Sequence, residues 1–104
     1  MEARIHDYQV TILGGAERSP AANICQINLF ERGGDTIGFL KFIAEEADTR
    51  EHQCGTQQIT VYYRQSQAES VLALLADKKK RVYVFCNGAQ NSGIRGETRK
   101  GKRK

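Results

Sequence analysis

The chain has 104 residues, a formal net charge of +4, 39% apolar and 27% charged side chains, four Tyr, four Phe and no Trp. This length implies one domain burying roughly 65% of its unfolded surface, and no apolar run approaches the roughly 20 residues of a membrane-spanning helix. The charge is local, since residues 95–104 hold six cations against Glu97 while residues 1–94 hold 10 basic and 11 acidic side chains.

The opening run MEARIHDYQV is charged throughout and has no apolar signal-peptide core, so a cytoplasmic location is expected. In HDYQVTILGG, Tyr8, Val10 and Ile12 alternate with Gln9 and Thr11, the period of a half-buried strand, and Gly14-Gly15 ends it. AERSPAA, with Pro20 as the chain's one proline, reads as a surface loop. NICQINLFERGGDTIGFLKFI predicts an antiparallel hairpin. Its first strand turns Cys25, Ile27 and Leu29 one way, Gly33-Gly34 make the turn, and Thr36–Ile43 form the second strand. Gly38 within that strand marks a bulge or a close backbone approach. Phe39 and Phe42 fall on opposite faces, so at least one is expected in the core.

AEEADTREHQCG, with Glu45, Glu46, Asp48 and Glu51, lacks helical apolar periodicity and reads as a loop. TQQITVYYR follows as a strand, with Ile59, Val61 and Tyr63 on one face. Ser66 and Glu69 are spaced as a capping box, and Ala68, Val71, Leu72 and Leu75 make the apolar stripe of one helix. The helix stops at DKKK, RVYVFC is a buried-type strand, NGAQNSG is a turn and IRGET a short last strand. The expected fold is therefore α+β, a mainly antiparallel curved sheet or partial barrel of five to six strands with one helix on one face. It occupies residues 1–94, with the last strand extending it to about 98, and 99–104 form a basic tail for which disorder is the expectation.

Motifs for chemistry are sparse. Cys25, Cys54 and Cys86 are odd in number, which argues against a disulfide scaffold, and Cys25 and Cys86 lie in apolar runs as small buried hydrophobes. His52 and Cys54 form an H-x-C pair, but a zinc site needs further ligands and the other histidine is His6. A nucleophilic Cys54 needs a base organised around it, and the four carboxylates need separated environments to act as acid and base. No catalytic residue, metal or cofactor is expected. The Gly pairs and the G-x-x-x-x-G at 88–93 lack the Lys-Ser/Thr of a phosphate loop and read as turns. GFLKF lacks both the basic residue and the two-helix order of an RNA-recognition motif.

Two basic segments remain. DKKKRVYVF sets Lys78, Lys79, Lys80 and Arg81 beside aromatic residues, a combination that can hold a nucleic-acid backbone and stack a base. The tail adds Arg99, Lys100, Lys102, Arg103 and Lys104. With Arg95 included, six phosphate contacts give a salt slope of roughly −5 at about −0.9 per contact.

The runs HDYQVTILGGAERSPAANICQINLF, GDTIGFLKF and ESVLALLADKKKRVYVF resemble short uncharacterised bacterial proteins encoded on mobile gene cassettes, particularly those captured by integrons. The resemblance covers roughly residues 5–86. It implies a small stand-alone cytoplasmic protein with an adaptive role, and it carries over no functional residues.

The first functional reading is a non-enzymatic binding or interaction module that associates with copies of itself, its small-molecule ligand unidentified and no membrane partner expected. The second is a nucleic-acid-associated protein using the basic arm without sequence preference. The third is a small enzyme or ligand-binding barrel built on loop 45–56.

Overall fold

The computed structural model of the chain describes residues 1–12, 23–45, 51–88 and 91–98, with the backbone alone at 23 and 24. Eight strands and one short α-helix make up the described residues: β1 Glu2–Ile5, β2 Asp7–Ile12, β3 Asn23–Phe30, β4 Thr36–Ile43, β5 Gln53–Cys54, β6 Ile59–Arg64, α1 Ala68–Ala76, β7 Lys80–Cys86 and β8 Ser92–Thr98. The protein is α+β, and its strands divide into two sheets rather than one. A three-stranded antiparallel sheet runs β1-β7-β8, and a five-stranded mixed sheet runs β2-β3-β4-β6-β5.

The hairpin β3–β4 forms as its alternation predicts, closed by Gly34 N–H donating to the Glu31 carbonyl at 2.9 Å. Gly34 takes a φ of 98°, a left-handed conformation that an L side chain resists. Gly38 serves both of its expected purposes. The register slips beside it, Leu29 pairing with Gly38 and Phe30 with Thr36. A Cβ at Gly38 would also strike the Ile59 carbonyl on the neighbouring strand.

Three expectations are corrected. The strands are eight rather than five to six, because Glu2–Ile5 and Gln53–Cys54 also pair. Neither segment has a strong apolar alternation; β1 forms because β7 supplies its ladder, Ala3 facing Val84 and Ile5 facing Val82. The single curved sheet or partial barrel is two sheets, and the pairing, mainly antiparallel as expected, includes one parallel pair, β4 and β6, with Leu40 opposite Val61. Residues 44–58 between them are long enough for the crossover that parallel neighbours require. At α1 the anticipated Ser66/Glu69 box is replaced. A 3-10 turn, Gln65–Gln67, precedes the helix, the Arg64 N–H donates to Gln67 Oε1 at 2.9 Å, and the Ser66 N–H donates to Glu45 Oε2 at 2.6 Å.

The core lies between the sheets and the helix. Ile27, Leu29, Leu40, Phe42, Ile59 and Val61 come from the five-stranded sheet, and Ile5, Val82 and Val84 from the three-stranded one. Val71 of α1 is buried against them, with Leu72, Leu74 and Leu75 packed alongside. Thus the apolar stripe expected of the helix does close the core. Phe42 is the inward member of the Phe39/Phe42 pair and stacks on Tyr63 at 5.6 Å. Tyr63 then reaches across, its Oη accepting the Ile94 N–H of β8 at 3.1 Å. No helix among the described residues is long and apolar enough to cross a membrane.

Candidate nucleic-acid interface

The chain changes sheets between Ile5 and Asp7, with His6 at the corner donating its N–H to the Phe30 carbonyl at 2.9 Å. Where β2 leaves, β7 loses its neighbour on the β1 side, and a notch of about 320 Å³ opens between the two strands and the end of α1. Its lining includes Arg4, His6 and Asp7 on one side and Asp77, Lys78, Lys80 and Arg81 on the other.

The helix exit is what brings the lysines there. Asp77 donates its N–H to the Leu74 carbonyl at 3.3 Å, its Oδ1 accepts the Lys79 N–H at 2.9 Å, and its carbonyl accepts the Lys80 N–H at 3.2 Å. The chain is bent sharply into β7, so that Lys78, Lys79 and Lys80 stand exposed and Arg81 is half-buried. Lys80 Nζ lies 3.9 Å from Asp77 Oδ2, an exposed pair of small energetic weight. Lys78, Lys80 and Arg81 therefore meet at one place, while Lys79 lies outside the lining. Arg99, Lys100, Lys102, Arg103 and Lys104 lie outside the described residues. Thr98, the last described residue, is paired with Lys80.

Arg4 is the member that the sequence did not announce. It stands opposite Tyr83 on the outward side of the three-stranded sheet, and its Nε is buried with no hydrogen-bond partner among the described residues. A buried cationic donor lacking an acceptor is costly, and phosphate oxygens are well-matched acceptors for a guanidinium. The clue available in the sequence was the alternation Glu2, Arg4, His6, which becomes informative once β1 is known to be a strand.

The rest of that outward face is ordered by charge. Arg95 Nε donates to Glu2 Oε2 at 2.6 Å and Arg95 Nη1 to Glu97 Oε2 at 2.5 Å. The guanidinium lies 4.5 Å from the centre of the Tyr83 ring. The Arg95 hydrogen bond holds the Glu2 carboxyl below the usual carboxylate range, and the two carboxylates keep Arg95 protonated well beyond its ordinary range. Glu97 is opposite Arg81 in register but is spent on Arg95.

Cys54 and Cys86 form a disulfide, with Cα atoms 5.6 Å apart, which corrects the reading of Cys86 as an unpaired buried hydrophobe. The two are 32 residues apart, and their pairing depends on β5 meeting the end of β7, which no spacing rule reveals. Cys25 is the free thiol, pushed up by burial. His52 is equally committed: its Nδ1 accepts the Tyr62 N–H at 3.0 Å, standing in for a strand carbonyl beyond the two-residue β5. Burial lowers its pKa from the ordinary value. Of the acidic segment, Glu45 caps Ser66, which holds its carboxyl low, and Glu51 is exposed, whereas Glu46 and Asp48 lie outside the described residues. Among the described residues no three His, Cys, Asp or Glu side chains gather as a metal site.

No protein-family model, curated protein or solved structure matches this chain.

Proposed function

We propose that the chain is a small non-enzymatic binding module that holds the phosphate backbone of a nucleic acid at the notch between β1–β2 and β7. The observation that carries the reading is the convergence of Arg4, Lys78, Lys80 and Arg81 from two separate parts of the sequence on one 320 Å³ notch. Asp7 and Asp77 leave it net cationic. The basic run Arg99, Lys100, Lys102, Arg103 and Lys104, which follows Thr98 in the sequence, adds five cations to an otherwise nearly neutral body.

The expected behaviour is a log affinity falling with log salt at a slope of roughly −3 from the four notch cations on a single strand, steeper where the tail takes part. Fluorescence anisotropy with a labelled oligonucleotide measures it. Lys78→Glu with Arg81→Glu should flatten the slope and abolish retention at low salt, and ending the chain at Thr98 should flatten it partly. Unchanged binding by the double variant rejects the reading.

A second reading, self-association, is favoured by β2. Val10 and Ile12 on that edge strand are 38% and 79% exposed, an apolar edge that a copy of the chain can cover. Light scattering at micromolar concentration tests it, with Ile12→Lys expected to give the one-chain mass.

A further inference from the structure

The outward face of the three-stranded sheet adjoins the notch and carries two aromatic rings. In β7, Val82, Val84 and Cys86 are buried in the core, which leaves Arg81, Tyr83 and Phe85 pointing the other way, all half-buried. Tyr83 has Arg4 across one ladder and Arg95 across the other. Phe85 has Glu2 on one side and Gly93 on the other, and even a Cβ at Gly93 would lie 3.6 Å from the Phe85 ring. Beside that ring is a hollow of about 330 Å³, shared with Glu2, Asn87 and Arg95. From Arg81 to Phe85 the face runs about 13 Å.

From this arrangement we infer that the nucleic acid held at the notch is single-stranded, its unpaired bases stacking on the Arg95–Tyr83 platform and on Phe85. The inference rests on the proposed function and assigns the substrate class of that same interface. Aromatic rings presented on a sheet stack bases only when those bases are out of a duplex. The charges argue the same way. Glu2 and Glu97 flank Arg95 on this face, so a row of phosphates cannot lie over it without meeting carboxylates. A neutral base can, because the planar guanidinium and the rings offer it π surface without charge repulsion. Arg4 and Arg81, which have no carboxylate bonded to them among the described residues, lie at the notch end, where the phosphates go. The division is therefore phosphates at one end of β7 and bases at the other.

The test uses the full chain with a fluorescein-labelled oligothymidylate of about ten nucleotides and the corresponding A·T duplex. The wild type is expected to prefer the single strand. Tyr83→Ala and Phe85→Ala should each weaken single-strand binding by roughly 5- to 150-fold and leave duplex binding unchanged. Urea denaturation of each variant establishes that it is folded. In the wild type, the ring proton resonances of Tyr83 and Phe85 should shift on titration with the oligothymidylate, a readout that needs no substitution. Equal affinity for single strand and duplex, or still ring resonances with full binding, overturns the inference. If the two Ala variants bind as the wild type does while the Lys78/Arg81 double variant does not, base stacking is rejected and the phosphate notch stands. If neither set changes binding, both readings fall together.

Discussion

The two sheets expose outward faces of opposite character, though both are made by the same two-residue alternation. On the five-stranded sheet the central outward residues are Gln26, Asn28, Phe39, Lys41, Thr60 and Tyr62, with Gln26 Nε2 donating to Asn28 Oδ1 at 3.0 Å and Lys41 Nζ 5.8 Å from the Phe39 ring. This face has aromatic rings too, but one cation among those six residues. On the three-stranded sheet Tyr83 and Phe85 lie among Arg4, Arg81 and Arg95. Aromatic content does not separate the two faces; the density of cations and the nearby notch do. A strand aromatic becomes a candidate base platform when phosphate-binding groups stand within a nucleotide or two of it.

The comparison depends on the sheets being held together, and the largest expected effect comes from loosening them. The Cys54–Cys86 bridge joins the edge strand of the large sheet to the middle strand of the small one. Closing a loop of 32 residues is worth about 4 kcal/mol in the chain-entropy account. Cys54→Ser, or reduction, should lower the unfolding free energy obtained from urea denaturation by an amount of that order, measured with and without a reductant. A loss below about 0.5 kcal/mol, the scatter of neutral surface changes, would show that the bridge is not what couples the sheets. Trapping free thiols by alkylation in cells also tests the cytoplasmic expectation, since a reducing compartment keeps such pairs open.

A second tie is the hydrogen bond from Ile94 N–H to Tyr63 Oη, with the Tyr63 phenol pushed up by burial. Tyr63→Phe retains the ring that stacks on Phe42 and leaves an edge amide of β8 unmet, at a cost of about 1–2 kcal/mol. Hydrogen exchange should quicken at Ile94 and its β8 neighbours and stay as it was in β3 and β4. Uniform loss of protection would show that Tyr63 acts on the whole core instead.

The ties between the sheets are also where the sequence was least legible. Local pattern identified β2, β3, β4, β6 and β7 and the helix stripe, because each depends on side chains only a few positions apart, whereas the outward placing of Tyr83 was not read from the buried-type run RVYVFC. β1 escaped notice because it exists through a distant partner, as do the Cys54–Cys86 bridge and the parallel β4–β6 pairing, while β5 hairpins onto the adjoining β6 but is two residues long, too short to show an alternation. The site divides along the same line. Lys78, Lys80 and Arg81 were visible as a basic run, but Arg4 joins them only because β1 lies beside β7.

His52 gives a smaller effect that also belongs to one sheet. Burial depresses its pKa below 6.5, so between its folded value and 6.5 the unfolded chain binds more protons than the folded one. Stability should therefore rise as pH climbs through that window and be complete above 6.5, and it is lost as pH falls toward the folded value. Protonation also removes the Nδ1 acceptor from Tyr62 N–H, at the edge of the five-stranded sheet. His52→Asn places Oδ1 where Nδ1 stands and should flatten this part of the profile. The acid limb below 4.5, where the depressed carboxyls of Glu2 and Glu45 take up protons, should remain. A variant profile that keeps its slope just below 6.5 would assign the titration to another group.

The smallest expected effect is the one that isolates charge as the difference between the faces. Phe39→Ala with Lys41→Ala removes a ring and the cation beside it from the five-stranded sheet, just as Tyr83→Ala removes a ring from the other. The ladder partners of Phe39 and Lys41 are Asn28, Gln26, Thr60 and Tyr62, with no second cation in those positions to fix a phosphate. A ring alone can stack a base, but the strand must first be held by its backbone, and the electrostatic term supplies most of nonspecific affinity. Oligothymidylate binding by this double variant should stay within about twofold of the wild type, with the salt slope lower by at most about 0.7, the contribution of one phosphate contact on a single strand. A loss as large as that of Tyr83→Ala would mean that both faces bind, and cation density would no longer distinguish them.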